Sequence, residues 1–228
     1  LQKTGTVNTD DWRIGGYGGG DSNAYGYYIM TGGTLATGNS NLQIGAYGIG
    51  RLDQAGGTVT TGQWAAVGRY SSGIGELNVV GGTFYQTAGG HQLILGEQGI
   101  GTLNIADTGT VDLIGGLRLS MNYGGASGTG IANLHTGGTL VTQTIQDNGG
   151  TGIFNFHGGT LSPKADNATF MQGLDHAYVY SGDAVIDTAG HNITIAQALE
   201  APGGSGLADI QLLTGGDYIG APIIQITG

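Results

Sequence analysis

The sequence predicts an all-β fold: a right-handed parallel β-helix, or β-solenoid, with about 25 residues and three short strands in each coil. Three observations carry this reading. A glycine-rich unit recurs at a near-constant interval, each unit holds short runs of alternating apolar and polar residues, and no long window sustains helical periodicity.

The most complete unit is Gly48-Ile49-Gly50-Arg51-Leu52-Asp53-Gln54-Ala55-Gly56-Gly57-Thr58-Val59, followed by Trp64-Ala65-Ala66-Val67-Gly68. Its Gly-Thr step recurs with the threonine at Thr6, Thr34, Thr58, Thr83, Thr110, Thr139 and Thr160, at intervals of 28, 24, 25, 27, 29 and 21 residues. A second column reads Trp12-Arg13-Ile14-Gly15, Leu42-Gln43-Ile44-Gly45, Ala65-Ala66-Val67-Gly68, Leu93-Ile94-Leu95-Gly96 and Leu117-Arg118-Leu119-Ser120. A third reads Gly50-Arg51-Leu52, Gly75-Glu76-Leu77 and Gly101-Thr102-Leu103, with a looser copy at Gly130 to Leu134. Alternation puts Leu42, Ile44, Ala65, Val67, Leu93 and Leu95 inside the coil, and Gln43, Ala66 and Ile94 outside it, toward solvent. Glycine closes the corners. A lone coil buries too little to offset the entropy of ordering it, so neighbouring coils must stack.

Composition agrees. Fifty glycines without a Gly-X-Y period exclude collagen, and 39% apolar residues with only 3 prolines argue against disorder. Sixteen acidic against 6 basic side chains, a net charge of −10, oppose nucleic acid and anionic membrane surfaces as partners. With no cysteine there are no disulfides, thiolate metal sites or cysteine nucleophiles, and no apolar run is long enough to span a membrane.

Along the chain, residues 1–161 read as regular solenoid repeats. Residues 162–228 read as an irregular continuation, with a short helix or loop near 166–175 capped by Asp166 or Asn167. Strands resume at Ala177-Tyr178-Val179-Tyr180, Ala184 to Asp187 and Ile193 to Ile195, with a further pair expected at Ile210 to Leu213 and Ile223 to Ile226. The whole length makes about nine coils. Coil sequence begins near Leu1, which is not a methionine, and runs to Gly228. The chain therefore reads as a mature or excised piece, continued covalently or abutting a second copy.

The pattern Gly-x-Gly-x-Leu-x-x-x-Gly-Gly-Thr-Leu/Val resembles the autotransporter-associated β-strand repeats of very large bacterial exoproteins. The tail Ala184 to Gln197 and Tyr218-Ile219-Gly220-Ala221-Pro222 resemble segments that follow such repeats in surface proteins of planctomycetes and related bacteria. The resemblance implies an extracellular or cell-surface stalk, adhesin or fibre-forming module, not an enzyme, with no catalytic residues to carry over. Its partners would be further repeats or copies of itself, and glycans are a further partner class.

Candidate sites are sparse. Tyr17, Tyr47, Tyr70 and Tyr123 follow the second column's corner, where rings stacked in a row would offer faces to sugars or serve as a structural ladder. Asp10, Asp11 and Asp21 form the best local acidic cluster, the place a calcium ion would take, although the tandem nonapeptide of calcium β-rolls is missing. His135 and His157 precede the glycines of successive coils and are expected near one another, as a turn pair rather than a zinc site. No nucleophile elbow and no phosphate loop is present, and no cofactor is implied. The competing function is a carbohydrate-binding or polysaccharide-cleaving β-helix, which needs carboxylates gathered in one groove.

Overall fold

The computed structural model describes residues 1–203, which form about eight turns of an all-β solenoid with no helix. The first turn holds β1 (Thr6–Asn8) and β2 (Trp12–Ile14). The next three pair one long strand with one short one: β3 (Tyr25–Ala36) and β4 (Leu42–Ile44), β5 (Ile49–Thr61) and β6 (Ala65–Val67), β7 (Ile74–Gln86) and β8 (Leu93–Leu95). The fifth turn splits the long strand into β9 (Ile100–Ile105) and β10 (Thr110–Leu113), followed by β11 (Leu117–Leu119). After it comes a small antiparallel hairpin, β12 (Asn122–Tyr123) and β13 (Ala126–Ser127).

Three strands per turn continue to the end. They are β14 (Thr129–His135), β15 (Thr139–Thr142) and β16 (Ile145–Asp147), then β17 (Thr151–His157), β18 (Thr160–Pro163) and β19 (Asn167–Gln172). The last turn has β20 (His176–Val179), β21 (Val185–Ile186) and β22 (Ile193–Ile195). The second-column strands make an eight-stranded parallel sheet, β2-β4-β6-β8-β11-β16-β19-β22, and the other two columns merge into a twelve-stranded one. The merger occurs because β3, β5 and β7 pass through the glycine pair without breaking, shifting register there instead.

The three columns read from the sequence are therefore the three faces of the coil. Thr58 pairs with Thr34 and Thr83, Leu52 with Leu77, and Ala65 with Leu42 and Leu93. Inward side chains of the middle coils are fully buried, those of the end coils partly so, and bulk is traded between coils: Phe154 lies between Ala132 and Ala177 in one column.

One feature here differs from the sequence reading. Residues 167–172 form β19 rather than a helix, because pairing with β16 and β22 overrides the Asn167 cap signal and the short apolar spacing. Asn167 still closes a local turn, its side chain accepting the Thr169 N–H at 2.9 Å. The strands expected at Ile210 to Leu213 and Ile223 to Ile226 lie outside the described residues, as does a ninth turn.

A ladder that the sequence reading did not single out runs along the outside of the larger sheet. The Asn78 side-chain amide donates to Asp53 at 2.7 Å, Asn104 to Asn78 at 2.6 Å, Asn133 to Asn104 at 2.7 Å and Asn155 to Asn133 at 2.7 Å. An amide carries donor and acceptor at opposite ends, so it can repeat indefinitely at the inter-coil spacing of about 4.8 Å. Each such bond contributes about 1 kcal/mol net.

At the corner that ends each second-column strand, Gly45, Gly68 and Gly96 have φ of +68°, +72° and +66°. A Cβ on Gly68 would also run into the Ile100 carbonyl. Ser120 takes the same corner at φ +64°, fully buried. Its hydroxyl is tied to the Asp147 carboxylate and accepts the Gly150 N–H at 3.0 Å. Gly5 shares the positive φ, +75°, but has open space around it. Gly5→Ala is therefore expected to cost only the left-handed backbone term, about 1–2 kcal/mol. Gly68→Ala, which must also displace backbone, is expected to cost clearly more. Urea unfolding of both variants checks the order, and equal losses would contradict it.

Candidate functional site

The strands of the smaller sheet are short, and in-register stacking lines up one outward side chain from each of the first six as Arg13, Gln43, Ala66, Ile94, Arg118 and Gln146. Alternation assigns Gln43, Ala66 and Ile94 to solvent, yet they are 1%, 4% and 4% exposed. The cover comes from both flanks. Asn41 and Trp64 stand immediately before their strands, and Arg69 and Glu97 follow the corner glycines Gly68 and Gly96. Met121 and Tyr123 come from the segment that forms the hairpin, an insertion in the coil. Between these walls lies a groove of about 280 Å³, floored by Ala66 and Ile94.

Its polar groups are fixed from behind. Gln43 donates its amide N–H to Asp11 Oδ1 at 2.9 Å, which points the amide oxygen the other way and leaves Gln43 Oε1 buried without a partner. Asn41 Oδ1 is in the same state. Arg69 Nε lies 3.3 Å from Glu97 Oε2 but makes no hydrogen bond. Burial pushes the Glu97 carboxyl up, against the pull of Arg69. The Trp64 ring is held edge-on to His91 at 5.3 Å, and the Tyr123 carbonyl accepts the Gln98 amide at 2.8 Å, pinning the hairpin.

The four tyrosines do not form one row. Tyr47 and Tyr70 stack at 4.0 Å, with Arg69 4.8 Å from the Tyr70 centroid. Tyr17 is 76% exposed in the first glycine loop with Arg13 at 4.5 Å, and Tyr123, 56% exposed, stands on the hairpin. The loop and the hairpin take the outer two away from the shared position.

Nor do the three acids gather. Asp11 is bound by Arg13 at 2.7 Å and by Gln43, whereas Asp10 lines a different depression with Asn8 and Gly38. Asp21 accepts the backbone N–H groups of Gly18 and Tyr17, which hold its carboxyl below the usual carboxylate range. Among the described residues no three His, Asp or Glu side chains converge as a metal site would require.

The carboxylates that do meet are Asp53 and Glu76, bridged by Arg51 and by the Asn78 amide at 2.7 and 2.9 Å. Tyr27 donates to Asp53 at 2.5 Å. Burial alone would raise the Asp53 carboxyl, but hydrogen bonds from Arg51, Asn78 and Tyr27 outweigh it and hold the group low. Burial and the bond to Asp53 push the Tyr27 hydroxyl up to about 12. This cluster is internally satisfied and terminates the asparagine ladder, whereas polar atoms of the groove's lining residues are buried without a partner. Sequence reasoning missed the groove. The readable signal was Gly68-Arg69 and Gly96-Glu97, opposite charges just after the corner of successive coils.

His135 and His157 do stack, at 4.7 Å, and Tyr180 continues the stack at 4.2 Å from His157. Burial and the neighbouring His135 hold the His157 imidazole below its ordinary value of 6.5. A depressed folded-state value means stability present above about pH 6.5 and lost as pH falls through the folded value. The urea midpoint should therefore drop between about pH 7.5 and about pH 5. His157→Phe, which keeps a ring in the stack, should flatten that drop, and an unchanged slope would show that the stack does not sense protons.

No protein-family model matches the chain, and neither curated proteins nor solved structures show a match to it.

Proposed function

We propose that the chain is a structural module of a large bacterial surface protein, an extracellular spacer, stalk or adhesin segment of the autotransporter-associated repeat kind. The observation that carries this reading is the continuous parallel pairing of successive coils, from Thr6 against Thr34 to Leu161 against Ile186, which makes each coil the template for the next. A body built this way gains stability from each interface between neighbouring coils, so it can be lengthened coil by coil. The partner is more of the same. Strands β1 and β2 pair on one side only among the described residues, and a further coil of a longer chain, or a second copy, would add there by the same hydrogen bonding.

The dispersion of carboxylates supports the structural reading over polysaccharide cleavage. Asp11 flanks the smaller sheet, Asp53 sits on the outside of the larger, Asp107 occupies a turn at φ +52°, and Asp112 on β10 is tied to Lys164 at 2.5 Å. Of the pair that meets, Asp53 is pulled down, opposite to the raised carboxyl a general acid needs. Immunogold labelling of the source organism with antibodies to this chain tests the reading. Gold on intact, unpermeabilised cells is expected, and labelling only after lysis would overturn it.

A further inference from the structure

Apart from that structural role, we propose that the groove over Ala66 and Ile94 binds a neutral sugar residue of a glycan, with Trp64 and Tyr123 as its aromatic walls and Asn41, Gln43 and Arg69 as its polar contacts.

The chemistry of the lining selects this ligand class. The floor is apolar and two walls are aromatic, surfaces that suit the C–H face of a ring. The unpaired polar atoms of the lining residues are buried and of both kinds: Asn41 Oδ1 and Gln43 Oε1 lack donors, and Arg69 Nε lacks an acceptor. Leaving buried polar atoms unpaired is unfavourable, so a ligand that pairs them recovers part of that cost. A hydroxyl donates and accepts, and a pyranose carries several around an apolar face.

Charge excludes the neighbouring classes. Arg69 is already compensated by Glu97 at 3.3 Å, so the groove has no spare cation for a uronate, sulfate or phosphate, and the chain's net charge of −10 repels them further. Size limits the ligand as well. About 280 Å³ is at the lower end of ligand pockets, enough for one or two rings and short for a folded peptide segment.

The groove is built rather than incidental. Gln43, 1% exposed, is held in one amide orientation by Asp11, which is itself anchored by Arg13. The wall bearing Tyr123 exists only because the coil is interrupted by the hairpin, and insertions in solenoids concentrate on binding faces. The tyrosine stack of Tyr47 and Tyr70 serves the site indirectly, by backing Arg69.

The chain's two tryptophans give a direct readout. Trp12 packs against Tyr28 at 4.8 Å, so Trp12→Phe leaves Trp64 as the sole reporter. This variant is titrated with neutral gluco-, manno- and galacto-oligosaccharides, with a tetragalacturonate and with an aromatic-rich peptide, following tryptophan emission. At least one neutral oligosaccharide is expected to shift the emission saturably, with Kd in the micromolar to millimolar range. Tyr123→Ala and Asn41→Ala should each weaken that binding about tenfold, since a stacked ring or a good hydrogen bond is worth about 1.4 kcal/mol. Tyr123 is mostly exposed, so its variant should fold, and circular dichroism checks both. The proposal is overturned if no neutral sugar shifts the emission at millimolar concentration, if the uronate or the peptide binds more tightly, or if both variants bind as well as the parent. None of these outcomes bears on surface labelling, so this inference and the structural reading fail separately.

Discussion

Everything in this molecule depends on in-register parallel stacking, which places each residue about 4.8 Å from its counterpart in the coils before and after. Each position must therefore be occupied by something that tolerates its own kind as a neighbour. Aliphatic side chains do so inside, and at one position a bulky ring is offset by small neighbours instead, Phe154 lying between Ala132 and Ala177. Asparagine does so outside, because its amide is donor on one side and acceptor on the other. Glycine does so at corners, where the next coil's carbonyl occupies the space of a side chain.

Charge does not stack on itself, and this accounts for a composition only 10% charged. Where charges occur they alternate or terminate. Arg51 sits opposite Glu76, Arg69 opposite Glu97, and Asp53 opens the asparagine ladder with Arg51 beside it. The exception is His135 over His157, where two like groups share a column and the His157 proton is correspondingly disfavoured. The groove belongs to the same logic by contrast. It lies where an insertion interrupts the repeat, and there the polar groups are not paired by a copy of themselves.

The repeat made most of the fold legible. Once Thr34, Thr58 and Thr83 are aligned, the three columns, the inward residues and the glycine corners follow, because stacking converts sequence equivalence into contact. The asparagine ladder was written in the same alignment, at the residue after the third-column leucine, but Asp53, Asn78 and Asn104 read as ordinary solvent-facing polar residues until their geometry is known. The groove was less legible. Gln43, Ala66 and Ile94 are walled in by residues outside their strands, Trp64 and Tyr123 among them, and no periodicity within a strand encodes a cover supplied by its flanks. For the same reason four equivalent tyrosines became one stacked pair and two outliers. At residues 167–172 a local cap signal competed with two neighbouring strands and lost.

The register itself is directly measurable, because the chain has no native cysteine. Thr102 and Ile131 are register partners on the outside of adjacent strands β9 and β14, whereas Ala132, one residue on, is buried in the interior. A Thr102→Cys, Ile131→Cys double variant treated with a short thiol cross-linker should join rapidly in the native protein, and Thr102→Cys with Ala132→Cys should not. Joining of the second pair in place of the first would mean a one-residue slip that turns every side chain to the opposite face, and would contradict the stacked-coil architecture.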